Sequence, residues 1–316
     1  MEMKETSVDH PNQTAVISLL ILIVAFGAFL RFFQIGHLSF WLDEAFTFMV
    51  SKGNLIDAIK IDPNMALFYF LAHLWIEIIP NNSEGSLRAL SALFSILTIP
   101  VTFWLGELVI PEDKKRGAIG LITALFVALN AFNVHYAQEF RSYSLTVLMA
   151  ELSTVFLIKT IVEPGRLWAF GYVIASVAAI YSHFFATLLI IAQVVTAPIL
   201  LINKNKKKEL VAGFRRLLFC WIGVACLTLP IVVVAILKGT GGISWLAAPT
   251  NDVILDFFVE ISGHSYDGRY LLAGYLLFGG LGLFYGLGFG FRRELITRWK
   301  FALLLSCFLF PILAAL

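Results

Sequence analysis

Long apolar runs separated by short polar connections dominate this chain. Five runs contain no Asp, Glu, Lys or Arg, namely residues 16–30, 118–129, 184–202, 217–237 and 271–291. Because about 20 apolar residues in a helix cross a hydrocarbon layer of about 30 Å, several runs reach spanning length. The pattern predicts membrane helices at 15–33, 89–110, 118–134, 143–162, 167–182, 184–202, 217–237, 270–290 and 301–316, with a shorter apolar segment at 65–79.

Composition supports a membrane protein. Hydrophobic residues make up 59% of the 316 positions and the mean hydropathy is +0.86, whereas soluble domains average about 45–50% apolar residues. The three cysteines all lie in apolar runs and form no CxxC pair, which argues against a zinc site or disulfide framework. We therefore expect an all-α, polytopic membrane protein that forms one domain over 1–316, with about nine or ten membrane helices and additional juxtamembrane helices on its outer face.

Three basic loops predict the orientation. Residues 111–117, 203–216 and 291–300 are rich in Lys and Arg, and such loops usually face the cytoplasm. The predicted helices place all three on one side. With a cytoplasmic N-terminus, residues 34–88 then form one outer-face region, in which the segment 65–79 is re-entrant or interfacial. The long loop 238–269 is expected on the same outer face.

Two adjacent carboxylates follow the first helix. Asp43 and Glu44 lie among aromatic residues, and carboxylates near a membrane often mark function because they are costly to desolvate. One of them could act as a general base on an acceptor hydroxyl. Alternatively, the pair could hold a divalent metal ion against a lipid-linked phosphate. An ordinary solvated loop that begins an amphipathic helix would explain the same residues without chemistry.

A second polar cluster spans residues 135–143 and joins two apolar helices on the same predicted face. Arg141 offers a planar fork of donors suited to a phosphate. Glu139 could orient Arg141 or bind sugar hydroxyls, and a simple salt-bridged corner is the alternative. In the long outer loop, His264 could help to cover the site. His183, between two helices, is expected only to satisfy a helix end.

Four segments together resemble a family of bacterial membrane glycosyltransferases of the GT-C fold, related to protein O-mannosyltransferases and aminoarabinose transferases. In chain order they are Trp41-Leu42-Asp43-Glu44-Ala45, Pro63 with the aromatic-rich segment 68–75, Leu87-Arg88-Ala89-Leu90-Ser91-Ala92-Leu93, and Tyr136-Ala137-Gln138-Glu139-Phe140-Arg141-Ser142-Tyr143-Ser144-Leu145. The resemblance covers about residues 15–200.

The resemblance implies sugar transfer from a polyprenyl-phosphate donor on the outer face of the cell membrane. It matches Asp43 and Glu44 to the catalytic acidic pair, and residues 138–141 to the second outer loop that lines the site. The expected substrate-binding residues are Arg88, Tyr136, Gln138, Glu139, Arg141, Tyr143, Asp62 and His264. Arg141, together with Arg88, is expected to stabilise charge on the departing lipid phosphate.

The chain also departs from the family pattern. Relatives often carry His-Pro-Pro before the aromatic-rich segment, whereas this chain has Asp62-Pro63-Asn64. Relatives are often longer, and this chain ends at Leu316 within an apolar run. A truncated or reduced family member is therefore expected.

The sequence is compatible with three functions. The favoured one is a glycosyltransferase whose partners are a polyprenyl-phosphate sugar, membrane lipid and an acceptor glycan, lipid or protein, with no nucleic acid. The alternative is a transporter or flippase for a lipid-linked or small polar substrate, which would place charges deep within its spans and often contain inverted repeats. A non-catalytic assembly subunit is the third.

Overall fold

The described part of the chain is built from helices. The computed structural model describes residues 13–79, 81–109, 116–202, 207–239, 300 and 302–307, and no strand occurs among them. The helices are α1 (Gln13–Phe32), α2 (Leu42–Lys52), α3 (Leu55–Ile61), α4 (Ala66–Ile78), α5 (Glu84–Val109), α6 (Arg116–Leu129), α7 (Ala131–Ala137), α8 (Tyr143–Val162), α9 (Arg166–Ser182), α10 (Ala186–Ile202) and α11 (Lys207–Lys238), with a 3-10 turn at Pro63–Met65 between α3 and α4.

Four described helices are long and apolar enough to cross a membrane: α1, α5, α8 and most of α11. The bent pair of α6 and α7 makes a fifth if it is one span, and α9 and α10 are shorter apolar helices. The chain is thus a helical membrane protein. The predicted helix 270–290 and most of 301–316 lie outside the described residues, so the total of nine or ten stays a prediction.

One predicted helix is in fact two. The apolar run 118–134 was expected to form a single helix, but the chain bends by 57° between α6 and α7. Asn130 has extended backbone angles, and its side chain accepts a hydrogen bond from the Asn133 amide at 2.8 Å. It therefore caps α7 as an N-terminal Asn commonly does. The single-helix prediction was wrong because a hydrophobic pattern does not register a cap inside an apolar run.

Arg31 stabilises this bend from inside the bundle. Its side chain is completely buried near the end of α1. The guanidinium donates to the carbonyl oxygens of Val127 and Ala128 at 3.1 and 3.0 Å, and to the Ser95 hydroxyl at 2.7 Å. The last carbonyls of a helix lack intrahelical partners, and a cation there is favourable. Arg31 thus joins α1 and α5 to the C-terminal end of α6.

Replacing Arg31 by Met should lower the free energy of unfolding by at least about 2 kcal/mol, because buried hydrogen bonds from a charged donor are lost and carbonyls are left unpaired. Thermal unfolding of the detergent-purified protein measures the effect. Lys60→Met, at an exposed position of α3, is the control and should unfold like the wild type. Equal stability of Arg31→Met and the wild type would contradict a stabilising role for the hydrogen bonds of Arg31.

The segment between α1 and α5 forms a helical layer at one end of the bundle. It contains α2, α3, the 3-10 turn and α4, whose aromatic and aliphatic residues share a core with the start of α5 and with Phe140. The 13 residues of α4 extend about 20 Å at 1.5 Å per residue. The re-entrant or interfacial position predicted for 65–79 remains a prediction. The layer brings α2 against the polar segment 138–142.

Candidate functional site

The polar residues singled out in the sequence converge at the end of the bundle that carries the α2–α4 layer. This end collects the C-terminal end of α1, the first turns of α2, α5 and α8, and the corner between α9 and α10. Two ion pairs connect these elements, one between Glu44 and Arg88 and one between Asp43 and Arg141.

Glu44 forms a buried two-pronged ion pair with Arg88. Arg88 Nε donates to Glu44 Oε1 at 2.8 Å and Arg88 Nη2 donates to Glu44 Oε2 at 2.7 Å. The amide of Phe140 also donates to Glu44 Oε1, at 2.7 Å. Both carboxylate oxygens are occupied and the side chain is only 1% exposed. Glu44 therefore connects α2 to α5 and to the segment before α8.

The guanidinium of Arg88 has no hydrogen-bond donor free for a ligand. Its Nη1 donates to the carbonyl oxygens of Ile35 and Leu38, and its Nη2 also donates to that of Ser39. Each of its five N–H groups thus has a protein acceptor. Arg88 lies within α5 rather than in the loop before it. The expected contact of Arg88 with a donor phosphate does not fit this geometry, which instead makes Arg88 a support for the 35–39 turn.

Asp43 has a different environment from its neighbour. Its carboxylate is 42% exposed, and Oδ2 lies 3.5 Å from Arg141 Nη2. The carboxylate is therefore open to solvent on one side and faces a guanidinium on the other. Asp43 and Glu44 lie in the first turn of α2, where the helix dipole favours negative charge. Only Asp43 is accessible enough to meet a substrate.

Arg141 faces α2 from the segment before α8, with a side chain that is 12% exposed. Its Nη1 donates to Thr47 Oγ1 at 3.1 Å, and its guanidinium lies over the Tyr143 ring at 5.7 Å. Its backbone carbonyl accepts from Ser91 Oγ at 3.0 Å. The buried Nε has no hydrogen-bond partner among the described residues. Arg141 is thus held in place while part of its donor fork remains unused.

A second polar group lies beside Arg141 and includes two residues, Asn64 and His183, that were not expected at the site. Asn64 donates from Nδ2 to His183 Nε2 at 3.3 Å, and its Oδ1 accepts from the amide of Phe184 at 2.9 Å. Burial, reinforced by the Arg141 charge, lowers the pKa of His183 to about 4. His183 is therefore neutral at physiological pH and does not compete with Arg141 for an anion.

Asp62 is held by its own neighbours. Its Oδ1 accepts from the Asn64 amide at 3.0 Å and its Oδ2 accepts from the Tyr69 hydroxyl at 2.7 Å. Burial and the Asp62 carboxylate both raise the pKa of Tyr69, so the phenol stays protonated and donates. The interaction holds the 3-10 turn against α4 and sets the position of Asn64.

The other residues expected in the second loop differ in what they contact. Gln138 Nε2 donates to the carbonyl oxygens of Leu30, Arg31 and Phe33 at 3.2, 3.2 and 2.9 Å, so Gln138 caps the C-terminal end of α1. Glu139 Oε1 lies 3.2 Å from His135 Nε2. The carboxylate that pairs with Arg141 is that of Asp43, and the binding of sugar hydroxyls by Glu139 stays a prediction.

Aromatic rings border the Asp43–Arg141 pair on the α7 and α8 side. Tyr136 and Tyr143 form an edge-to-face pair with ring centroids 4.7 Å apart, and Tyr143 lies 6.1 Å from the His183 ring. Phe185 stacks on His183 at 5.2 Å. The rings form a continuous border from α7 to the start of α10. Tyr143 thus lies where a ligand of Arg141 would meet it, and Tyr136 contacts the Tyr143 ring.

Two expectations concern His264 and a metal ion. His264 lies outside the described residues. Among the described residues, no group of three or more His, Cys, Asp or Glu side chains is placed to hold a metal ion. The acidic pair is also a poor donor set for a cation, because both Glu44 oxygens are occupied and Asp43 faces a guanidinium.

His183, Asn64 and Thr47 were missed as site residues. Asn64 and His183 are 119 residues apart. Asn64 is two residues from the expected Asp62, but nothing in either segment indicates that it meets His183. The one local indication is that His183 interrupts two apolar runs, a pattern that equally fits a simple helix end. Thr47 lies one turn after Asp43 in α2, and helical spacing would have placed both on one face.

Comparisons with known proteins do not supply a family. The chain matches no protein-family model, and no curated protein is significantly similar to it.

Proposed function

We propose that this protein is a membrane glycosyltransferase that moves a sugar from a polyprenyl-phosphate donor to an acceptor hydroxyl on the outer face of the cell membrane. The proposal includes a GT-C-like bundle of about nine or ten membrane helices. It combines the four-segment resemblance with the site geometry.

The observation that carries the proposal is the placement of Asp43 beside Arg141. A half-exposed carboxylate and a fixed guanidinium lie 3.5 Å apart, and they come from segments that are far apart in the sequence. Transfer from a lipid phosphate requires a base for the attacking hydroxyl and a cation for the leaving phosphate. The two side chains supply one group of each kind.

In the proposed reaction, Asp43 accepts the proton of the acceptor hydroxyl. The hydroxyl oxygen forms a bond to the anomeric carbon of the sugar as the bond from that carbon to the phosphate oxygen breaks. Polyprenyl phosphate leaves with the electron pair of that bond, and its added charge is stabilised by Arg141. The donor phosphate would replace Asp43 as the main partner of the guanidinium and so release the carboxylate to act as base.

Glu44 and Arg88 act as positioning residues in this scheme. Glu44 accepts a hydrogen bond from the backbone amide of Phe140, the residue immediately before Arg141. Glu44 also directly follows Asp43 in α2. The buried Glu44–Arg88 pair thus fixes both sides of the proposed site relative to each other, although neither side chain would touch substrate.

Substitution of Arg141 tests donor binding. Arg141→Ala should raise the apparent KM for the lipid donor by about 10- to 100-fold, because a charged hydrogen-bond donor contributes about 1.5–3 kcal/mol. Arg141→Lys should retain part of the affinity, since Lys supplies the charge without the two-pronged geometry. Donor titration on folded, detergent-purified protein makes the measurement.

The control is Lys52→Ala, which removes an exposed cation from the C-terminal end of α2 and should leave the KM unchanged. An unchanged KM in folded Arg141→Ala would remove Arg141 from the donor site. A loss of folding yield with normal donor affinity would assign it a purely structural role.

A transporter or flippase is the second candidate, and Glu151 is the observation that favours it. This carboxylate lies in the middle of α8 and accepts a hydrogen bond from Thr102 Oγ1 of α5 at 2.7 Å. Nearby, Gln193 of α10 connects Thr154 and Ser153 by hydrogen bonds at 3.1 Å. Ionisable residues within spans often mark transport pathways. A glycosyltransferase would cleave the lipid-linked donor, whereas a transporter or flippase would move its substrate intact.

A further inference from the structure

A cavity of about 480 Å³ lies between α9 and α11, at the opposite end of the bundle from the Asp43–Arg141 site. Among the described residues that line it are three arginines, Arg166, Arg215 and Arg216, and no carboxylate. The 17 residues of α9, at 1.5 Å per residue, separate Arg166 from His183 by about 25 Å. The cavity is therefore distinct from the candidate site.

Helix packing explains why the cavity forms. Midway along the two helices, α11 approaches α9 closely at Gly223, where an added Cβ would lie 3.5 Å from Val173 Cγ1. One turn earlier, Cys220 Sγ lies 3.8 Å from the Ala169 carbonyl oxygen. Towards the helix starts the arginines and the rings of Phe170 and Phe219 surround the open volume.

The arginines are largely free to meet an anion. Neither Arg166 nor Arg215 makes a side-chain hydrogen bond or ion pair within the described part of the chain, and both are exposed. Arg216 donates one bond, from Nη1 to the Thr160 carbonyl oxygen at 3.3 Å. Arg166 is the first residue of α9, where the helix dipole adds positive potential.

Beyond the arginines, towards the middle of α9 and α11, the walls of the cavity are apolar. Phe170 is 65% exposed and Phe219 is 66% exposed, and both are one turn further from the helix start than Arg166 and Arg215. A ligand that fills the cavity would thus have an anionic end at the guanidiniums and a hydrocarbon end beside the rings. The basic segment 203–216 overlaps the start of α11 and is predicted to be cytoplasmic, so the anionic end would lie at the level of the inner-leaflet headgroups.

We propose that this cavity binds an anionic glycerophospholipid of the cytoplasmic leaflet. The phosphodiester contacts Arg166, Arg215 and Arg216, and one acyl chain lies along Phe170 and Phe219. Charge complementarity selects a lipid with net negative charge over a zwitterionic one. The apolar walls select a lipid over free inorganic phosphate. The inference does not depend on the proposed glycosyltransferase activity.

Native mass spectrometry of the detergent-purified full chain tests the proposal, with dioleoyl phosphatidylglycerol and dioleoyl phosphatidylcholine as equimolar probes. The wild type should retain phosphatidylglycerol preferentially. Arg166→Gln/Arg215→Gln should weaken its retention by about 10-fold or more, because each surface cation adds to the attraction for anionic lipid. This double variant leaves the Arg216–Thr160 contact intact, and thermal unfolding checks that it folds.

The matched control is Lys114→Gln/Lys115→Gln, which removes the same charge from another predicted cytoplasmic loop and should retain the lipid like the wild type. Equal losses in both double variants, or no lipid preference in the wild type, would overturn the proposal. Displacement of the lipid by excess inorganic phosphate would also overturn it, because it indicates a free-anion site. Should the double variant not fold, Arg166→Gln alone must show a several-fold loss.

Discussion

Replacing Asp43 by Asn should lower the rate of sugar transfer by about 10²- to 10⁴-fold, the usual contribution of a general base. Asn has the shape of Asp but cannot accept the proton of an acceptor hydroxyl. The Asp43 side chain is 42% exposed and, within the described part of the chain, its one ion pair is a 3.5 Å contact with Arg141, so the fold should be preserved. Initial rates with a labelled polyprenyl-phosphate sugar measure the effect, and thermal unfolding confirms folding.

Asp57→Asn is the matched control for this prediction. Asp57 is an exposed carboxylate of α3 whose ion pair with Lys60 is at the surface. Its loss should leave the rate within about twofold of wild type, since exposed pairs contribute about 0–1 kcal/mol. Wild-type activity in Asp43→Asn would exclude this carboxylate as the base.

Breaking the buried pair should have the largest effect on stability. Glu44→Gln or Arg88→Met should each lower the free energy of unfolding by about 3–5 kcal/mol, because one buried charge is left without its partner. The double variant Glu44→Gln/Arg88→Met should lose less than the sum of the single losses. Chemical or thermal unfolding in detergent provides all three values, with Asp57→Asn as the exposed-pair control.

Additive losses in the double variant would show that Glu44 and Arg88 do not act as a pair. The solvated-loop interpretation of Asp43 and Glu44 leads to the opposite expectation. In such a loop, Glu44→Gln would leave the free energy of unfolding nearly unchanged. Complete burial of Glu44 against Arg88 and the Phe140 amide reverses that expectation.

The sequence predicted the helices better than their interruptions. Residues 143–162 were assigned with the bounds that α8 has, and 184–202 differs from α10 by two residues at its start. Hydrophobic periodicity records which residues avoid water. It does not record the bend at Asn130, because apolar residues continue on both sides of it.

The sequence predicted most residues of the candidate site but not which of them contact each other. Adjacent residues of a helix point about 100° apart, so Asp43 and Glu44 cannot have the same surroundings once α2 packs on the bundle. Which of them is buried depends on Arg88, 44 residues away. The Asn64–His183 contact joins segments that are further apart still, and no local pattern in either segment indicates the other.

The most direct test of the proposed activity is the fate of a doubly labelled donor in proteoliposomes, with one label on the sugar and another on the polyprenyl chain. We expect the wild type to place the sugar label on an acceptor and to release an equal amount of labelled polyprenyl phosphate. Asp43→Asn should do neither, while Asp57→Asn should do both. Movement of the intact donor from one leaflet to the other without cleavage would contradict the account and would identify the protein as a flippase.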